Sequence, residues 1–159
     1  MAPSGRYALL LRPLLTQAAG YARSFLGNRA DAEDAVQQAA LRGLERLDTY
    51  DESRPFKGWW FAILRNCCVD EIRRSRSTLA GTLDGIDLPA AAPVDALDWK
   101  ELTRAMNRLS EDHREILRLR YFADLSYREL AECLHIPSGT VMSRLHLARK
   151  ALQAQLPGD

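Results

Sequence analysis

Residues 125–150 read LSYRELAECLHIPSGTVMSRLHLARK, and the order of residue types in that stretch decides the fold class. Ser126-Tyr127-Arg128-Glu129 has the form of a capping box, in which the serine side chain satisfies the backbone N–H three residues on and the glutamate reaches back to the serine N–H. The short helix it opens carries Leu130, Ala131 and Leu134 inward. A turn follows at His135-Ile136-Pro137, and Ser138 is placed to cap a final helix. There Val141, Leu145, Ala148 and Leu152 recur at the spacing of one buried stripe, leaving Thr140, Ser143, Arg144 and Lys150 outside it. Two short helices around a tight turn, with small Ala131 in the first and aliphatic Ile136 between them, describe a helix-turn-helix. No acidic residue occurs between Glu132 and Asp159, whereas Arg144, Arg149, Lys150, His135 and His146 all fall there, so a phosphate backbone meets no repulsion. The plainer alternative is a helical hairpin with a solvated basic face.

Upstream of the capping box the same helical period continues. Ser110 is placed to cap a helix carrying Ile116, Leu117 and Leu119 to Phe122, and a further helix is expected from about Asp98 to Leu109. Before that, Ser77 to Pro93 contains Gly81, Gly85, Pro89 and Pro93 with no helical period, the composition of a linker. The net charge of +1 hides an uneven distribution. Residues 1–76 hold 12 Lys/Arg against 9 Asp/Glu, residues 77–98 none against 4, and residues 99–159 10 against 8. Two mildly basic blocks flank an acidic connector.

In the N-terminal block, Asp31 is expected to precede a helix with Glu33 and Asp34 in its first turn, where negative charge complements the helix dipole, and which runs to about Leu47. A loop from Asp48 to Arg54 ends at Pro55, suited to a first turn. Phe56, Trp59, Trp60, Ile63, Leu64 and Cys67 follow, and the helix continues into Arg73, Arg74 and Arg76. Phe56, Trp59, Trp60 and Phe61 put aromatics on nearly every side of this helix, so the core cannot bury all of them; Trp59 is expected inside. Aromatics beside Arg65, Arg73, Arg74 and Arg76 suit stacking of unpaired bases, against the plainer reading of a core stripe and a dipole-complementing Arg cluster.

The fold class is therefore all-α, with two small helical domains (1–76 and 98–159) joined by a flexible linker (77–97). A chain of 159 residues with 47% hydrophobic content is long enough for both. Enzymatic constellations are poor: His113, His135 and His146 are scattered, and there is no nucleophile elbow or Gly-rich phosphate loop. Cys133 and His135 lack a second ligand pair for zinc. No catalytic residue, metal or cofactor is expected. The odd count of three cysteines argues against a disulfide framework, a thiol sensor at Cys67 or Cys68 remaining as an alternative to inert burial. No run approaches the ~18 apolar residues of a membrane span, so a cytoplasmic protein without membrane insertion is expected.

In order along the chain, Asp31-Ala32-Glu33-Asp34-Ala35-Val36-Gln37-Gln38, Leu47-Asp48-Thr49-Tyr50, Trp59 to Asn66 with Asp70-Glu71-Ile72-Arg73-Arg74, Leu125 to Ala131 and Pro137 to Leu145 resemble the extracytoplasmic-function group of bacterial sigma factors, specificity subunits of RNA polymerase. The resemblance implies a non-enzymatic protein whose partners are the polymerase core (its β and β′ subunits), promoter DNA and an anti-sigma factor. It implies core docking through Asp34, Val36, Gln37 and Gln38. It places −10 DNA against Tyr50, Phe56, Trp60, Asn66, Arg73, Arg74 and Arg76, with the loop from Asp48 to Phe56 and Asn66 forming a pocket for a flipped base. The −35 major groove falls to Ser138, Thr140, Met142, Ser143, Arg144, His146, Arg149 and Lys150, and the acidic linker to the polymerase channel near the RNA path. Ala40 and Leu44 stand where the family usually has bulky aromatics, implying a repacked N-terminal core, and Met142 stands where a basic residue is common. A stand-alone helix-turn-helix regulator, whose N-terminal helices dimerise or sense a signal, is the alternative.

Overall fold

The computed structural model describes residues 2–78 and 96–157, with side chains over 2–75 and 100–157. Among the described residues there are eight α-helices and two single 3-10 turns, without a strand. The N-terminal set is α1 (Pro3–Leu11), α2 (Leu15–Leu26), α3 (Arg29–Glu45) and α4 (Phe56–Thr78); the C-terminal set is α5 (Ala96–Asn107), α6 (Glu111–Tyr121), α7 (Tyr127–Leu134) and α8 (Ser138–Gln155). Residues 79–95 of the expected linker lie outside the described residues, and helix covers both of its ends.

Local chemistry sets the boundaries. Pro3 occupies the first position of α1, where its missing N–H costs nothing. Gly27 ends α2 at φ 76°, a left-handed conformation that glycine adopts without a Cβ penalty. The helix expected to start after Asp31 starts earlier: Asn28 is its cap and accepts from the Asp31 N–H at 3.0 Å, while Asn28 Nδ2 donates to Asp31 Oδ2 at 2.8 Å. Asp31 is thus inside the first turn and Asp34 one turn further on. α3 stops at Glu45, and Leu47–Thr49 form a 3-10 turn. Ser110 caps α6, accepting from the His113 N–H, with Glu111 and Asp112 in the first turn and Arg118 and Arg120 in the last, each sign at the favourable end of the dipole. The capping box of α7 is complete, with Glu129 N–H to Ser126 Oγ at 3.1 Å and Ser126 N–H to Glu129 Oε1 at 2.8 Å. One expectation shifts by a residue: the cap of α8 is Pro137, which makes no side-chain bond, and Ser138 is already helical.

In the N-terminal set, α3 packs on α2 and α4 through Ala32, Ala35 and Ala39, small residues that let the backbones approach, against Tyr21, Phe61 and Leu64. Helix α1 lies across this group and inserts Tyr7, whose hydroxyl donates to Ala40 O at 2.7 Å and accepts from Trp60 Nε1 at 3.0 Å. Gly43 makes room for it, since a Cβ there would lie 2.3 Å from Tyr7 Oη and 3.0 Å from Trp60 Cδ1. Of the two positions where the resemblance implied missing aromatics, Ala40 accepts the Tyr7 hydroxyl at its carbonyl and Leu44 stays 42% exposed. In the C-terminal set, Ile116, Leu119, Leu125, Leu130, Val141, Leu145 and Ala148 are fully buried where α6, α7 and α8 meet. The sets touch along α4 with α7 and α2 with α6, where Arg118 stacks over the Phe25 ring at 4.8 Å.

Candidate nucleic-acid interface

Helix α8 offers one set of groups. Val141, Leu145 and Ala148 bury its inner face, Leu152 is half-buried, and Ser138, Met142, Ser143, His146 and Lys150 are exposed. Thr140 and Arg144 are half-buried at its edge. Ser143 Oγ donates to Thr140 O at 3.2 Å, so this hydroxyl is held against its own helix. Arg149 differs from the other cations: its Nε donates to Tyr121 Oη at 2.8 Å and its guanidinium lies over the Tyr121 ring at 5.8 Å, which fixes it toward α6. Hydrogen bonds to Tyr121 and Tyr127 stabilise its charge and raise it above the usual arginine value.

A second set gathers at the start of α4. Tyr50, Phe56 and Trp59 are half-buried and mutually packed, with ring centroids 5.4 Å apart for Tyr50–Phe56, 5.1 Å for Tyr50–Trp59 and 5.7 Å for Phe56–Trp59. The loop holding Tyr50 is shaped by its own side chains. Tyr50 Oη donates to Arg54 O at 2.8 Å, and Asp51 Oδ1 accepts from Ser53 N–H at 3.0 Å and Ser53 Oγ at 2.8 Å, an Asx-type turn. Those two bonds hold the Asp51 carboxyl below its usual range. Asn66 is exposed two turns beyond Trp59, with Arg65 Nη1 donating to its Oδ1 at 3.4 Å.

The tryptophans exchange the places expected for them. Trp60 is fully buried, its ring edge-on to Phe61 and its N–H on Tyr7, so it does not reach the surface and its assignment to DNA is withdrawn. Trp59 is the one half-exposed beside Tyr50. The cause is α1: Tyr7 supplies the hydrogen-bond partner that a buried indole requires, and only at position 60. Arg73 is exposed, whereas Arg74 Nη2 lies 2.6 Å from Oε2 of buried Glu71. The side chain of Arg76 lies outside the described residues.

Along α3, Asp34 and Gln37 are exposed and Val36 and Gln38 half-buried. Sequence reasoning missed how this face continues: Leu41 is 62% and Leu44 42% exposed, an apolar extension of the same stripe. The signal was present, because 34, 37, 41 and 44 repeat at three and four residues. The thiols are buried, and burial raises Cys67 and pushes Cys68 and Cys133 up to about 12, the opposite of what a reactive thiolate requires. Among the described residues no cluster of His, Cys, Asp and Glu has the makings of a metal site, and no helix is long and apolar enough to cross a membrane.

The family model described as "Sigma-70 region 2" matches residues 10–78, and that described as "Sigma-70, region 4" matches residues 99–152. The chain is 35% identical to the ECF RNA polymerase sigma factor SigL of Mycobacterium tuberculosis over 94% of its own length and 90% of the relative's, and 33% identical to SigW of Bacillus subtilis over 82% and 78%. Among solved structures it resembles CnrH in complex with the cytosolic domain of CnrY (TM-score 0.70, 26% identity, 93% and 85% of the two chains). It also resembles RpoE in complex with the anti-sigma factor NepR from Bartonella quintana (TM-score 0.69, 28% identity, 95% and 94%).

Proposed function

The chain belongs to the extracytoplasmic-function sigma factors of the sigma-70 family, and on that premise we propose how its surfaces divide the work of directing polymerase core to promoters. Residues 1–76 act as the region 2 domain, 98–159 as the region 4 domain, and 77–97 as the connector. The observation that carries the reading is the pairing of two different nucleic-acid surfaces on one chain: a half-buried aromatic shelf at Tyr50, Phe56 and Trp59 with Asn66 two turns on, and an acid-free exposed face on α8. The first suits an unpaired base, which has a π-face to stack and amide-matched edges to read. The second suits the major groove, where bidentate and methyl contacts each discriminate by about 1–3 kcal/mol.

Asp34, Val36, Gln37 and Gln38 dock the polymerase core, with Leu41 and Leu44 extending that contact. Ser138, Thr140, Met142, Ser143, Arg144 and His146 face the −35 element, and Lys150 anchors a phosphate. Arg149, held by Tyr121, positions rather than reads. The protein works in the cytoplasm, where the polymerase is, and carries out no catalysis itself.

An anti-sigma protein is the second partner. Its support is a cleft of about 1040 Å³ between α2, α4, α5 and α6, into which Arg23, Arg65, Arg73, Arg114 and Arg118 project beside Val69, Ile72, Leu102 and Met106. Burial pulls Arg118 below the usual arginine value, so an acidic, apolar helix seated there would offset the desolvation of its charge.

Transcription in vitro with polymerase core and a library of promoters tests the function, and Asn66→Ala tests the site. Flipping a base costs a few kcal/mol that contacts in the pocket must offset. Asn66→Ala should therefore reduce permanganate reactivity of the melted −10 region about tenfold while leaving duplex binding of the holoenzyme nearly unchanged; equal footprints for both proteins would remove Asn66 from the pocket.

A further inference from the structure

Helix α1 meets both the loop assigned to −10 DNA and the aromatic shelf beside it, and residues 3–9 of that helix precede the stretch matched by the region 2 family model. Arg6 pairs with Glu52 of the loop, both side chains being more than half exposed. One residue on, Tyr7 is 5% exposed and turns its ring edge-on to Phe56, with centroids 6.0 Å apart and an interplanar angle of 75°. Phe56 in turn packs against Tyr50 and Trp59. Tyr7 therefore stands behind the shelf, too deep to touch DNA itself.

The loop's own hydrogen bonds, from Tyr50 Oη to Arg54 O and from Ser53 to Asp51 Oδ1, fix its shape. They do not fix where it stands relative to Asn66, because each begins and ends between residues 50 and 54. Within the N-terminal set, that placement falls to α1. The Tyr7 hydroxyl is held twice, donating to Ala40 O of α3 at 2.7 Å and accepting from Trp60 Nε1 of α4 at 3.0 Å. The gap it fills is the one left by Gly43, where a Cβ would lie 2.3 Å from that hydroxyl. Trp60 is the neighbour of Trp59, so the same hydroxyl sets the turn of α4 that presents Trp59. A pocket that must offset the cost of unstacking a base loses discrimination when its walls are loose.

We propose that Tyr7, with Arg6 beside it, is a positioning residue for −10 recognition. Through Phe56, Trp60 and Glu52, α1 holds the shelf and the loop at the spacing from Asn66 that an extruded base requires, and so sets base selectivity from behind. This rests on the assignment of the shelf to −10 DNA made above. The two contacts differ in weight. Arg6–Glu52 is an exposed ion pair and individually weak, whereas Tyr7 is a buried aromatic fixed by two hydrogen bonds and a ring contact.

The test uses holoenzyme assembled from polymerase core and the full chain, with single-stranded −10 oligonucleotides of a promoter it transcribes, each position varied through the four bases. Urea midpoints of the free chain are measured alongside. Tyr7→Leu removes the ring behind Phe56 and should lower discrimination at the most selective position about fivefold, within what one edge-to-face contact supplies. Tyr7→Phe keeps the ring and loses the hydroxyl, so it should lose stability, because Trp60 Nε1 is left without its acceptor, and discriminate as the parent does. Leu11→Ala, one turn along the same buried face of α1, should cost stability as Tyr7→Leu does and leave discrimination intact. Arg6→Glu should lower discrimination about threefold, the scale of an exposed ion pair, and Arg6→Glu combined with Glu52→Arg should restore it.

If Leu11→Ala loses as much discrimination as Tyr7→Leu, or if Tyr7→Leu discriminates like the parent, α1 only stabilises the domain and the proposal falls. Should Tyr7→Leu not fold, the exposed pair decides: an Arg6→Glu protein that binds every oligonucleotide more weakly by the same factor, and is not restored by Glu52→Arg, has lost a phosphate contact, which equally overturns it. Failure of the functional reading looks different, since the unaltered holoenzyme would then bind all the −10 oligonucleotides alike, and the proposal would fall with it.

Discussion

Helices α4 and α8 are the two long helices proposed to face nucleic acid, and they treat their polar side chains in opposite ways. On α8 the exposed groups are unpaired with acids, and nothing between Glu132 and Asp159 is negative. On α4 the polar groups are mostly engaged inside the protein: Lys57 by Asp124, Arg65 by Glu115, Asp70 by Arg42 at 3.0 Å, Glu71 by Arg74. The difference matches the form of DNA proposed for each. A duplex is rigid and highly charged, so a reader needs accessible donors and no local repulsion. A flipped base must be received by a surface that does not move, and α4 is fixed by Trp60, Phe61 and Leu64 in the core so that Trp59 and Asn66 stay in register above it.

The sharpest way to break this comparison is to exchange the roles of neighbouring tryptophans. Trp60→Ala empties a fully buried site and leaves Tyr7 Oη without its donor, which should cost about 3–5 kcal/mol in urea unfolding. Trp59→Ala should cost far less stability and instead remove about 1–3 kcal/mol of single-strand −10 binding, the value of one stacked base. If both variants were equally unstable and bound single strands alike, α4 would have no separate reading face.

That assignment was not legible from the sequence. Trp59 and Trp60 are adjacent, both are flanked by apolar residues at helical spacing, and only Tyr7, 53 positions away, together with the space left by Gly43, decides which one enters the core. The helix-turn-helix was legible because its signals are local: a capping box within four residues, an apolar stripe, and an absence of acids. The start of α3 was misplaced although Asn28 and Asp31 stand three apart, since either residue makes a good cap and the choice depends on backbone geometry. The contact of α7 with α4 has no local signature at all, because Gly58 reads as an ordinary glycine until Glu129 is found against it.

A medium effect is expected within α8, where half-buried Arg144 lies in the N-terminal half and exposed Lys150 lies further along. Arg144→Ala should cost about 1–3 kcal/mol and relax preference at one −35 position. Lys150→Ala should weaken all sequences alike and lower the salt slope by about one. Affinities for a panel of −35 variants at two salt concentrations decide it; a uniform loss for Arg144→Ala with a changed base preference for Lys150→Ala would mean that α8 lies in the groove in another orientation.

The smallest effect concerns the start of α3, which is as rich in acids as α8 is poor. Partial burial lifts the Asp31 carboxyl above its usual range, the charges of Glu71 and Asp34 add to this, and Arg74 opposes it. A carboxyl raised in the folded state holds its proton more tightly folded than unfolded, so ionised Asp31 detracts from stability, and the folded state gains as pH falls through that range. Asp51 works in the other direction, since its lowered carboxyl contributes stability above its unfolded value that is lost as pH falls. The two act together in the unaltered protein, and the Asp51 contribution cancels on comparison with Asp31→Asn. The variant should thus lose more stability than the parent between pH 5 and about pH 3.5, around the unperturbed carboxyl value. Arg74→Gln, which removes the opposing cation and leaves Glu71 buried without its partner, should move the parent's profile the opposite way. Urea midpoints across that range check both, and parallel profiles for the parent and Asp31→Asn would show that Arg74 already neutralises the cluster and is not free to reach a phosphate as the cations of α8 are.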